Sequence, residues 1–69
     1  MSYSELDPAT RTIAERVLTR KQLDVFKLWC AGAGTARIAI MLDVAESTAR
    51  GHLRRAHQKL EVEKRRVAA

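Results

Sequence analysis

A single cysteine, Cys30, leaves this chain unable to close a disulfide within itself. That excludes the disulfide-stapled scaffold of small secreted proteins and leaves too few thiols for a cysteine-rich zinc site. Pro8 is the only proline, three glycines are present, and Tyr3, Phe26 and Trp29 are the only large aromatics. No apolar run approaches the roughly 20 residues of a membrane span. The opening residues Met1-Ser2-Tyr3-Ser4-Glu5-Leu6-Asp7 are polar and acidic, unlike a secretory leader. No stretch alternates cleanly between apolar and polar, so no strand is predicted, and no repeat is visible. Missing too are a Ser-His-Asp or Cys-His arrangement, a paired carboxylate site and a phosphate loop. Gly32-Ala33-Gly34 follows no strand and reads as a turn. His52 and His57 are five apart and fall on different helix faces, which argues against a metal site. No catalysis, cofactor, metal or small-molecule substrate is expected.

What is present is a chain of 69 residues, 46% hydrophobic, with a formal net charge of +5. That length makes one small domain with a small core, and that hydrophobicity argues against disorder. The charge is uneven: residues 1–18 carry a net −1, residues 19–45 a net +2 and residues 46–69 a net +4. A basic C-terminal half points to a polyanion, most often nucleic acid, although a solvated basic helix face has the same composition. The expected setting is cytoplasmic, at the nucleoid.

Four helices can be punctuated from the sequence. Asp7-Pro8 opens the first, Asp as cap and Pro at the first helical position. Thr19 opens the second with a capping box to Gln22, flanked by Leu18 and Leu23 as a hydrophobic staple. Gly32 ends it. Thr35 is expected to cap a short third helix with Ile38, Ala39 and Leu42 on one face, and Asp43-Val44-Ala45 interrupts it. The fourth is predicted from Glu46 to about Leu60, with Val62–Ala69 as a further short piece. The predicted architecture is all-α: a small tetrahelical bundle with an additional N-terminal helix, residues 1–6 a tail and residues 7–69 one domain.

The fourth helix is the informative one. At 100° per residue, Ala49, Leu53, Ala56 and Leu60 share one side, while Ser47, Arg50, Gly51, Arg54 and Gln58 lie nearly opposite. The apolar side docks on the body. The outer side offers two guanidiniums, a hydroxyl and a bare glycine backbone, which makes Ser47, Arg50, Gly51 and Arg54 the expected base-contacting set in a major groove. Thr48, His52, Arg55 and Lys59 occupy one flank, where phosphates would lie. Gly51 costs about 1 kcal/mol relative to Ala within a helix. It is either a tolerated weakness or a point of close backbone approach to DNA. A short helix, a tight break and a longer basic helix describe helix-turn-helix geometry.

The segment Leu18 to Arg65 resembles the LuxR/NarL-type helix-turn-helix. Leu18-Thr19-Arg20-Lys21-Gln22-Leu23-Asp24-Val25-Phe26-Lys27-Leu28 is similar to that family's opening, Gly32, Ile38-Ala39 and Leu42 to its middle, and Val44-Ala45-Glu46-Ser47-Thr48-Ala49-Arg50-Gly51-His52 to its reading helix. Lys59-Leu60-Glu61-Val62 matches its close. Residues Thr48–Leu60 are also similar to the DNA-reading helix of sigma-factor region four, which shares the tetrahelical core. The resemblance implies that Arg50, Gly51 and Arg54 face bases and that Ser47, Thr48 and Thr35 lie near phosphates. Departures are Ala45 for the usual cap Ser, Ala49 for the usual Val and Arg37 for an acidic residue, which adds charge near the DNA backbone. The family's last helix, which often dimerises, is short here, and the segment before Leu18 lies outside the shared pattern.

Leu23, Trp29 and Ile40 stand where the family is usually polar. The extra N-terminal helix is expected to cover them through Ile13 and Val17; otherwise they form a protein-binding patch, with Ile40 its best member. Cys30 is expected to pack as a small buried hydrophobe beside Leu28. The function read from all this is a sequence-specific, double-stranded-DNA-binding transcriptional regulator, with homodimerisation open. The alternatives are an interaction module for RNA polymerase or another regulator, and a DNA-architectural or recombination accessory factor.

Overall fold

The computed structural model describes residues 2–68. A 3-10 turn at Tyr3–Glu5 precedes four helices: α1 (Pro8–Val17), α2 (Arg20–Cys30), α3 (Thr35–Leu42) and α4 (Glu46–Ala68). The chain is an all-α helix-turn-helix bundle, α3 and α4 flanking the turn at 43–45. No helix among the described residues is long and apolar enough to cross a membrane.

Local chemistry sets most of the boundaries. Asp7 caps α1, accepting from the Thr10 N–H at 3.2 Å and the Thr10 hydroxyl at 2.7 Å. These two bonds, the hydroxyl's first, hold the Asp7 carboxyl below its ordinary range. Thr19 and Gln22 form the reciprocal capping box of α2. Helices α2 and α3 end in the same way. The Ala33 N–H reaches Leu28 O and the Gly32 N–H reaches Trp29 O, with Gly32 at φ 101°. The Val44 N–H reaches Ala39 O and the Asp43 N–H reaches Ile40 O, with Asp43 at φ 56°. These are paired six-to-one and five-to-two closures of the Schellman type. Asp43 is the one non-glycine residue in left-handed backbone among those described, a conformation a short polar side chain tolerates.

Three boundaries differ from expectation. Gly34, not Thr35, is the N-cap of α3, and Thr35 is the first helical residue. Helix α4 does not stop near Leu60: the predicted separate piece from Val62 is its continuation to Ala68, while Ala69 lies outside the described residues. Within the expected tail 1–6, of which Met1 lies outside the described residues, Tyr3 and Leu6 pack against the core.

The core is two clusters joined by α2 and α4. Ile13, Ala14, Leu18, Phe26, Ala56 and Leu60 form one. Val25, Ile38, Ala39, Ala49 and Leu53 form the other. Successive residues Phe26 and Val25 thus serve different clusters. So do the halves of the α4 stripe, Ala49 and Leu53 against α3, Ala56 and Leu60 against α1. The stripe predicted from periodicity is the buried one.

Candidate nucleic-acid interface

Docking of the α4 stripe turns the opposite side of that helix to solvent. Ser47, Arg50 and Arg54 are exposed and Gly51 is half-buried. A Cβ built on Gly51 meets nothing within 4 Å, so no packing inside the chain requires a glycine there. Arg50 makes an ion pair with Glu46 one turn earlier, Nη2 to Oε1 at 3.1 Å. Arg54 has no side-chain partner of this kind among the described residues. The four residues expected at the bases therefore share one open face, and neither arginine is locked beneath another segment.

The flank is less uniform. Thr48 and Arg55 are exposed, and Arg37 is exposed on α3. Thr35 is half-buried at the start of α3, beside the turn. His52 is half-buried in a recess it shares with Lys21, Asp24 and Val44. Its Nδ1 is shielded and has no hydrogen-bond partner among the described residues. Lys59 gives its ammonium to Gln22 Oε1 at 2.9 Å. That same oxygen accepts the Thr19 N–H at 3.2 Å. Lys59 is thus tied into the cap of α2 across 37 residues of sequence, a role that flank geometry alone does not suggest.

The three apolar outliers have different fates. Leu23 is half-buried against the cluster that holds Ile13 and Val17. Trp29 remains 44% exposed. It stacks on Phe26 with centroids 6.3 Å apart and meets the edge of His57 at 4.7 Å, so the rings against it come from α2 and α4. Ile40 is 81% exposed and no part of the N-terminal helix covers it. Cys30 is half-buried on the Phe26 cluster, while its expected neighbour Leu28 serves the other cluster. Burial pushes the Cys30 thiol up, away from the reactive thiolate.

Sequence reasoning missed two contacts of Glu63 at the far end of α4. Arg16 reaches Glu63 at 3.0 Å and Arg66 reaches the same carboxylate at 3.6 Å. The Glu-to-Arg spacing 63–66 was legible; the Arg16 contact depends on the tertiary fold.

Residues 16–69 match the model of the family described as bacterial regulatory proteins, luxR family. No curated protein and no solved structure matches the chain.

Proposed function

The chain belongs to the luxR family of bacterial regulatory proteins, DNA-binding regulators of transcription, and from that premise we propose that it reads a specific duplex sequence by placing α4 in the major groove. The observation that carries this reading is the exposed row Ser47, Arg50, Gly51 and Arg54 opposite a fully docked apolar stripe. An α-helix fits the major groove, and an arginine there can bridge the two acceptors of guanine. Gly51, with open space above it, lets backbone approach the base edges where a larger residue would stand the helix off. Ser47 adds a hydroxyl at the leading end. Arg55, Thr48 and Arg37 border the row and meet phosphates, which position the helix without reading sequence. His52 and Thr35, being half-buried, approach the sugar-phosphate chain only at its closest passage.

Selection of bound sequences from a random DNA pool at moderate salt tests the proposal. An enriched motif is expected. Arg50→Ala and Arg54→Ala should each weaken the selected site by roughly 1–3 kcal/mol and relax preference at one position. Arg55→Ala should weaken all DNA alike and reduce the salt slope by about 1. Equal behaviour of all three variants would overturn the assignment of faces.

The second reading, an interaction module for RNA polymerase or another regulator, is favoured by Ile40, a large aliphatic side chain left 81% exposed beside the turn. Failure to enrich any motif, with partner capture that survives loss of Arg50 and Arg54 but not Ile40→Ser, would promote it.

A further inference from the structure

Three arginines of α4 lie on or beside the proposed reading row, yet only one has an acidic partner. Arg50 Nη2 bonds Glu46 Oε1 at 3.1 Å, with the side chains 61% and 45% exposed. Arg54 has Arg50 and Gly51 in the turn before it, and Arg55 has Gly51 and His52. Neither has a carboxylate within helical reach. A carboxylate at the leading end of a helix that faces DNA opposes attraction to any duplex, because phosphates and carboxylate repel. Glu46 therefore does not serve generic affinity. The ion pair gives the Arg50 guanidinium a preferred direction. The single bond occupies one of the five guanidinium donors and leaves the rest available to an acceptor pair. An arginine already aimed also loses less rotamer freedom on binding, which favours the contact that matches its direction over any other.

We infer that Glu46 is a positioning residue for base reading: it aims Arg50 at a base edge and keeps it off the nearest phosphate. This rests on the proposal that Arg50 reads a base. The bland alternative is that Glu46 only complements the positive end of the helix.

The test compares the parent chain with Glu46→Gln, Arg50→Ala and the double variant, each measured on the selected site, its single-base variants and random duplex over a salt series. Gln keeps the length and a hydrogen-bond acceptor and removes the charge. Glu46→Gln should tighten binding to random duplex and steepen the salt slope by up to about 1, as a freed Arg50 finds a phosphate. The ratio of specific to random binding should fall by about 2-fold, the size of an exposed i,i+4 ion pair. Preference should weaken at the same position that Arg50→Ala relaxes, and in the Arg50→Ala background the Glu46 change should alter no base preference. A thermal melt separates the alternative, since if Glu46 only stabilises the helix, Glu46→Gln lowers the melting temperature and leaves preference intact. An unchanged specificity ratio, or equal loss with and without Arg50, overturns the inference. If Arg50→Ala alone relaxes no position, the base-reading proposal itself falls, and that arm shows it independently.

Discussion

Gly51 separates the needs of folding from those of binding at a single position. It lies inside a helix, and a methyl group there touches nothing. Gly51→Ala should therefore stabilise the fold by about 1 kcal/mol and raise the melting temperature, while the same methyl group weakens DNA binding; melts and gel shifts read the two effects separately. Asp7 is a second residue with a clear signature. Its folded pKa lies below the ordinary value of 3.8 because Thr10 donates to the ionised form. The stabilisation is thus complete above that ordinary value and disappears as pH falls through the lower folded one. Asp7→Asn retains a capping side chain and removes the titration, so acid unfolding of that variant should begin with a flatter limb. Neither effect is visible in the resemblance to a family; both follow from one residue and its immediate surroundings.

At the level of helices, boundaries set by local chemistry were the most legible. Thr19 with Gln22, Asp7 with Pro8, and Gly32 carry their geometry in three or four consecutive residues. Gly34 took the cap of α3 because its extended backbone stands one residue ahead of Thr35. The end of α4 was hidden for another reason. Beyond Leu60 the apolar rhythm stops, and the last turns are held by Glu61 with Arg65, Glu63 with Arg66, and Arg16 from α1. Tertiary charge pairing does not announce itself as periodicity. The reading row was legible because burial of Ala49, Leu53, Ala56 and Leu60 fixes what faces outward. Lys59 was not, because its partner Gln22 lies on α2. Lys59→Ala should accordingly lower the stability of the free protein as well as its DNA affinity, whereas Arg55→Ala should affect affinity alone; denaturant titrations of both variants distinguish them. At the start of α4, Ala45 has only a methyl side chain, which offers no acceptor to the first turn, while its carbonyl accepts from the Ala49 N–H at 3.0 Å. Ala45→Ser supplies a cap and should add about 1 kcal/mol, read in the same titrations.

For the molecule as a whole, the segment outside the family match is part of the fold. Residues 2–15 precede the matched region, yet Tyr3, Leu6, Ile13 and Ala14 complete the cluster around Phe26 and Leu60. Tyr3 meets Phe26 edge-on at 6.1 Å and takes Lys27 over its ring at 5.1 Å. At roughly 0.05–0.15 kcal/mol per residue, a chain of this size has little stability to spare. Ile13→Ala should remove about 2–5 kcal/mol, and deletion of residues 2–15 should abolish cooperative unfolding, as a calorimetric scan would show.

Helix α4 runs for 23 residues in a body whose longest extent is 37 Å. Side chains at 49, 53, 56 and 60 anchor it, and those at 47, 50, 51, 54 and 58 take no part in that anchoring. One rod is therefore both keel and keyboard, with the two duties on separate sides. Rewriting the outward letters leaves the hull as it was, so a library randomised at 47, 50, 54 and 58 samples new vocabularies on an unaltered scaffold, whereas a change at 51 also shifts stability.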